Sequence, residues 1–364
     1  MKTNSLLLCA ATLLTLSFST TSTTAATTPS SNVDYVILER GLHHRQWARV
    51  ETTRDAVSGE FVLRTNIVYI EMATGMHYVD PATGKLTESI EQFEAVPGGA
   101  IARHGQHFLA LSKDLATAGA AQLQTPDGKR LLSNLIGLSF YDASTDQHVL
   151  IAEVKSSQGQ IVGSNQVVYA DAMTDIPCNV RYTYTRGGCE QDIILKDPAN
   201  LPSPSAYGLN PATTRLVVLT EFLNPPAPVQ DIQLPSTNSG PAISDVNLDF
   251  GVMQVRAGKA FSLGTNSPAS ETKIFKQWVQ LEGRTFLAEQ VRVPDLVKAI
   301  AALPAKQGAS LKARNRGTVF AADTRRLPKL KPAPEISRAK PMETARVRPP
   351  EEGFLLDYSA SRSP

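Results

Sequence analysis

Cysteine is scarce in this 364-residue chain: there are three, and one, Cys9, lies near the start. The remaining pair, Cys178 and Cys189, lacks the C-x-x-C spacing of redox-active dithiols. Tryptophan is scarcer still, with two residues, and aromatic content is 6%. Core packing therefore explains the aromatics more simply than a broad stacking platform does. No serine sits in a G-x-S-x-G elbow, and no glycine-rich phosphate loop opens a helix. Charge of one sign is missing too, since the net value is +2. That balance is too small to imply a nucleic acid or a membrane surface as partner for the whole chain. No cofactor motif is present, and strand–helix alternation that would build a parallel sheet does not occur.

The one long apolar run lies at the beginning. Lys2 precedes Leu6 to Phe18, and small residues follow as far as Ala25 and Ala26. This is the layout of a secretory signal, cleaved near Ala25 or Ala26. Its apolar run of thirteen residues falls short of the roughly 20 that span a bilayer. Cys9 sits inside that run and does not end it, unlike a lipid-acceptor cysteine. The expectation is an exported mature chain with no transmembrane segment.

After a Ser/Thr-rich spacer over 27–32, the pattern over 33–303 is that of strands punctuated by turns. Alternation from Val33, the proline-free run Phe61 to Met72, and turns at Asp80-Pro81 and Pro126-Asp127-Gly128 set the style. Strands are expected at Leu86 to Val96, Ala100 to Leu111, Arg130 to Tyr141, His148 to Lys155 and Ile161 to Ala170. Further strands are expected at Arg215 to Phe222, Ile243 to Leu248, Val252 to Val255, Lys273 to Leu281 and Thr285 to Arg292. Lys113 to Gln124 carries alanine enough for a helix, although Gly119 weakens it, and Asp231 to Ser239 reads as loop. A helix opens at Pro294-Asp295, with Leu296, Val297, Ile300 and Leu303 along one face. The fold class is all-β: one large or two antiparallel β-sandwiches, with a split near Gly159 as the alternative, and one short C-terminal helix. Residues 304–350 hold twelve Lys/Arg, three Asp/Glu and seven prolines. Such a linker cannot bury enough surface to order itself and reads as disordered. Residues 351–364 regain strand character and read as the start of a C-terminal section that is missing.

Candidate chemistry is thin. Cys178 and Cys189 leave two readings open, a disulfide and a pair of buried thiols. A turn at Arg186-Gly187-Gly188 sets them far apart along the strands and favours the thiols. His104 and His107 lie three apart, so on a strand they face opposite sides, and His43 and His44 are adjacent. His77, Asp80, Asp146 and His148 form no readable triad. Glu51, Glu60, Glu71 and Glu153 could supply paired carboxylates for glycoside chemistry, but solvated strand faces explain them more simply. Trp47 and Trp278 are the candidates for stacking a sugar ring. The basic linker suits a solvated tether or contact with anionic cell-envelope polymers, not nucleic acid.

The stretch VVYADAMTDIPCNVRYTYTRGGCEQDIIL, Val167 to Leu195, organises the chain. It has a valine-rich strand ending at Tyr169, a loop to Pro177, the alternation Val180 to Tyr184, a Gly187-Gly188 turn and the aliphatic run Glu190 to Leu195. In this it resembles the N-terminal β-rich region of large secreted bacterial surface proteins of the RHS/YD-repeat type and related repeat proteins. The resemblance implies an exported, non-enzymatic scaffold ahead of a repeat section. The chain departs from those proteins in having no repeats after the linker and no toxin or enzyme domain. No catalytic residue is carried over. The alternative expectation is a carbohydrate-binding or carbohydrate-active β-sandwich.

Overall fold

In a computed structural model the chain is described at residues 34–55, 57–198, 201–233, 243–261, 271–302 and 331–332. The leader, nearly all of the basic linker and the strand-like segment after Gly353 lie outside the described residues. What is described is antiparallel β with one α-helix, as the turn spacing predicts.

Three strands come first: β1 (Asp34–Arg40), β2 (His44–Arg54) and β3 (Phe61–Met72), forming a sheet of their own. A small hairpin follows, β4 (His77–Val79) with β5 (Leu86–Glu88). Next come β6 (Glu94–Val96), β7 (Gly99–Ala102), β8 (Phe108–Ser112), β9 (Thr117–Ala118), β10 (Ala121–Gln124), β11 (Arg130–Asp142) and β12 (Gln147–Glu153). A four-stranded sheet is built in chain order from β13 (Gly159–Val162), β14 (Gln166–Tyr169), β15 (Cys178–Thr185) and β16 (Gly188–Leu195). After β17 (Thr214–Leu223), β18 (Val229–Gln233), β19 (Asp245–Asp249) and β20 (Gln254–Val255) make a three-stranded sheet. The last strands before the helix are β21 (Gly258–Ala260), β22 (Thr272–Leu281) and β23 (Arg284–Arg292), then α1 (Val293–Ala301). Lys331–Pro332, β24, runs parallel to β9.

The large sheet has ten strands, in the order β21-β22-β23-β17-β11-β10-β8-β7-β6, with β12 also on β11. β11 is its axis: β17 pairs along one side, while β10 and β12 share the other. The four-stranded sheet packs on this large sheet, and buried residues from Phe93 to Leu296 form one continuous core. Tyr169 and Tyr184 are fully buried between the layers. Their hydroxyls donate across the gap, Tyr169 to the Ser112 carbonyl at 2.5 Å and Tyr184 to the His107 carbonyl at 2.9 Å. Gly105 makes room for the second contact, since a Cβ there would meet the Tyr184 hydroxyl at 2.2 Å.

Several expectations change in detail. Lys113 to Gln124 is not helical; it forms β9 and β10, because alternate positions of β10 bury Ala121 and Leu123 in the core. Leu86 to Val96, Ala100 to Leu111 and Ile161 to Ala170 are each broken into two strands by internal turns. Part of the expected loop after Asp231 belongs to β18, whose residues are all exposed, so no apolar alternation marks it. In α1, Val293 and Leu296 are buried and Val297 faces outward. The helix start is reinforced by Arg292 Nε donating to Asp295 at 2.6 Å.

One buried ion pair ties β19 to the large sheet. Lys276 Nζ donates to Asp245 Oδ1 at 3.0 Å, and the Lys276 amide donates to the same oxygen at 2.9 Å. Lys276 has no exposed surface at all, so its charge depends on that carboxylate. Burial opposes ionisation of Asp245, but the bonds from Lys276 and Lys273 outweigh it and hold the carboxyl below its ordinary range. Asp245→Ala, which removes the carboxylate bonded to Lys276 and leaves only the cross-strand Glu289 beside it, should therefore cost about 3 kcal/mol in urea unfolding. The double variant Asp245→Leu, Lys276→Met should recover much of that loss.

Candidate functional site

The tryptophans behave differently from one another. Trp47, on β2, is half-buried and already engaged: Nε1 donates to Glu71 Oε2 at 2.9 Å, Tyr69 stacks at 6.0 Å, and the Arg45 guanidinium lies 5.6 Å from the ring. Trp278, on β22, is half-buried against Phe222 at 5.1 Å and Phe250 at 5.9 Å. It lines an open cleft of about 350 Å³ together with the Pro225–Pro228 segment, Gln230, Gln280 and Thr285. The proline run cannot continue β17 as a strand and turns away from it, so it forms a stiff wall opposite the indole. Glutamine and threonine supply the polar rim. None of the residues lining this cleft is acidic.

The carboxylates singled out as possible pairs do not converge. Glu51 is held by Arg49 at 2.8 Å, and Glu71 by Arg45 at 2.7 Å. Glu51 lies six β2 positions from Arg45, the cross-strand partner of Glu71, which is roughly 20 Å at the usual rise. Glycoside cleavage needs carboxyl groups about 5–9.5 Å apart. Glu60 belongs to the exposed turn before β3, and Glu153 sits exposed on β12 in another sheet.

The histidines are also dispersed. His43 Nδ1 accepts from the Gly75 amide at 3.0 Å, and His44 faces Glu39 at 3.6 Å. His77 is buried on the Gly41 carbonyl at 2.8 Å, Asp80 accepts from the Ala82 amide at 3.0 Å in a turn, and His148 stacks on Tyr141 at 4.4 Å, whose hydroxyl donates to Asp146 at 3.1 Å. Among the described residues no group of three or more His, Cys, Asp or Glu could hold a metal ion. His107 is wholly buried beside Tyr184, and burial lowers its pKa to about 4, the Gly188 backbone offsetting part of that. It is a neutral core residue.

His104 enters an arrangement that sequence spacing hides. Its Nδ1 meets the Tyr78 hydroxyl at 3.0 Å and its Nε2 meets Glu94 Oε1 at 2.5 Å, with Arg103 on the other Glu94 oxygen at 2.8 Å. The three members come from β4, β6 and the β7–β8 turn, so no local motif announces them. Burial pushes the Tyr78 phenol up, not down, which makes it a poorer nucleophile at neutral pH. The relay's evident work is to hold β4 against the edge of the large sheet.

Neither cysteine is in a disulfide, and both are buried. Cys178 pairs with Leu195 and Cys189 with Tyr184, so they stand at opposite ends of the β15–β16 hairpin, which turns at Arg186-Gly187. Six strand positions separate them, roughly 20 Å, against the 7 Å limit for a bridge.

Between the sheets lies a small cavity of about 40 Å³, whose walls include Tyr182, Cys189, Gln191, Thr220 and Glu289. Tyr182 donates to Gln191 Oε1 at 2.8 Å and Gln191 Nε2 donates to Thr220 at 3.1 Å, which closes most of the polar surface. Glu289 retains some exposed surface, yet neighbouring atoms crowd its carboxyl. Burial raises its pKa to about 7, Lys276 opposing and Asp192 adding to the effect. No sequence signal marks Glu289, which reads as an ordinary polar position of a strand.

No family model, curated protein or solved structure matches this chain. Among the described residues no helix is long and apolar enough to cross a membrane.

The Glu289 environment has a measurable consequence. Its folded pKa is above its unfolded one, so the protonated form stabilises the fold. That contribution is complete below about pH 4.5 and is lost as pH rises through about 7. Glu289→Gln should gain roughly 1–2 kcal/mol over the natural chain at pH 8 and little at pH 5, allowing for partial exposure. Denaturant midpoints at the two pH values check this; equal differences at both would remove the assignment.

Proposed function

We propose that this chain is an exported, non-enzymatic β scaffold, the N-terminal part of a bacterial secreted or cell-surface repeat protein, which works by contact. One observation carries the reading. The β1–β3 sheet is separate from the large sheet and holds large apolar side chains in solvent, among them Ile67, Ile70 and Met72. Exposed apolar surface of this extent is a feature of contact surfaces. The body behind it offers a rigid base: its most perturbed carboxylates serve structure. Burial opposes ionisation of Asp142, but Thr213 Oγ1 at 2.6 Å, the Asn210 amide at 2.9 Å and Ser144 hold it well below its usual range. Those bonds pin the loop before β17 to the end of β11. The basic residues of 304–350 suit attraction to anionic envelope polymers.

Export is tested by producing the full chain in a bacterial host and sequencing its N-terminus after fractionation. A form beginning just after Ala25 or Ala26, outside the cytoplasm, is expected. Uncleaved protein confined to the cytoplasm would overturn the exported reading.

A second reading, carbohydrate binding, is favoured by the Trp278 cleft. An indole open on one side, with Gln230, Gln280 and Thr285 at its rim, matches how a sugar ring is stacked and hydrogen-bonded. With no acidic lining residue, the cleft suits binding and not hydrolysis. In a Trp47→Phe background, cell-wall polysaccharide fragments should shift the Trp278 fluorescence, and Gln280→Ala should weaken the response by about tenfold. A flat titration would remove this reading and leave the scaffold role alone.

A further inference from the structure

Lysine is almost never fully buried unless it is paired, and Lys276 on β22 has no exposed surface. Its Nζ lies 3.0 Å from Oδ1 of Asp245 on β19, a residue only 4% exposed. An apolar pair of similar volume would hold the two strands together as well, so stability alone does not account for these residue types. The surroundings of the carboxyl are more specific than an ion pair needs. Oδ1 also accepts from two backbone amides, Lys276 N at 2.9 Å and Val246 N at 3.0 Å. Oδ2 instead meets Lys273 Nζ at 3.0 Å, an ammonium whose side chain is about half exposed. The two oxygens are therefore not equivalent. Glu289 on β23 is the cross-strand neighbour of Lys276 and stands on the other side of the pair.

An amine and a carboxyl group held together out of water are the reactants of an amide bond. Free in water they do not condense, because both are charged and solvated. Here the fold changes each condition. In the ground state Asp245 is ionised, its bonds outweighing burial. Transfer of one proton along the 3.0 Å hydrogen bond gives the neutral amine and acid, the forms that a buried site favours. Nζ is then one C–O bond away from Cγ, and no encounter has to be waited for. The two backbone N–H groups on Oδ1 stabilise the negative charge that gathers there as the carbon becomes tetrahedral. Lys273 is placed to protonate Oδ2, and its exposed side opens a way out for water. Burial raises the Glu289 pKa to about 7, which suits that carboxyl to take a proton from Nζ near neutrality.

We propose that Lys276 and Asp245 condense into an intramolecular amide bond that cross-links β22 to β19. The Nζ–Cγ bond forms and the Cγ–Oδ2 bond breaks. Two of the three ammonium protons of Lys276 are given up and two protons arrive on Oδ2, with Lys273 and Glu289 as carriers, so Oδ2 leaves as water. Oδ1 stays as the amide carbonyl, still on its backbone donors. Nothing is oxidised or reduced, and no co-reactant is needed. The bond spans thirty-one positions of the chain and fastens the three-stranded sheet to the large one covalently. The cysteines cannot supply such a tie, since they stand at opposite ends of their hairpin. The cross-link goes beyond the contact role proposed above and does not depend on it. The unfolding cost given above for Asp245→Ala is that of the ion pair alone, and the cross-link adds to it.

Mass spectrometry of the full chain, purified folded and then denatured, tests the proposal. The intact mass should be lower by one water than the sequence requires, counted from whichever N-terminus the chain carries. Trypsin should fail to cut after Lys276 and should release a branched peptide joining residues 216–256 to 274–284. Fragmentation of that peptide should place the link at Asp245 and Lys276. Asp245→Ala and Lys276→Met should each keep the water. Since each single variant strips a buried group of its partner, the double variant Asp245→Leu, Lys276→Met serves as the folded control, checked by circular dichroism, and should also show the full mass. A folded natural chain of full mass, cut by trypsin after Lys276, would overturn the proposal. So would a loss of water that persists in the double variant, because it then arises elsewhere in the chain.

Discussion

Two tyrosine hydroxyls, on Tyr169 and Tyr184, cross from the four-stranded sheet to backbone carbonyls of the large sheet, and the sandwich depends on them. A carbonyl at the end of a short strand is an acceptor that a neighbouring strand does not always satisfy, and leaving it buried and unpaired costs about 1–3 kcal/mol. Each tyrosine satisfies such an oxygen while burying a ring in the core. The direction of both bonds fixes how β14 and β15 sit over β8, and with that the identity of the inter-sheet residues. Burial pushes both phenols far above their ordinary range, so they remain donors at any physiological pH.

Polar groups elsewhere in the interior follow the same logic. Lys276 is kept by Asp245, Asn134 donates to Glu221 at 3.3 Å, and Arg284 closes the same carboxylate at 2.6 Å. These links join strands distant in sequence, β11 with β17 and β19 with β22. Such links add little net stability, but breaking one leaves a buried charge uncompensated. A one-residue slip of a paired strand would turn its side chains over and break them.

These links knit the body together internally, whereas the β1–β3 sheet leaves Ile67, Ile70 and Met72 in solvent. One face carries the Arg45–Glu71 and Arg49–Glu51 pairs and the Trp47–Tyr69 stack, and the other carries Val36, Ile67, Ile70 and Met72 around the buried Ala48. The Trp278 cleft is another place where apolar surface and hydrogen-bonding groups meet solvent together.

The sequence by itself determined the all-β class, the turn after Tyr184 and the helix start at Pro294, because each rests on local periodicity or on residues with restricted backbone geometry; it left Cys178 and Cys189 open between a disulfide and two thiols, which the strand register decides. It carried too little to expose β9 and β10, since alanine fits a helix as readily as a tightly packed strand and only the neighbouring β8 and β11 decide between them. The Tyr78–His104–Glu94 relay, the raised Glu289 and the wall of prolines facing Trp278 depend on which strands lie side by side. Register likewise decides that Val36, Ile67, Ile70 and Met72 share one face, because the bulges beside Ile37 and Trp47 shift the alternation that the sequence alone shows as unbroken. Local preference writes the elements; long-range pairing chooses which side chains meet.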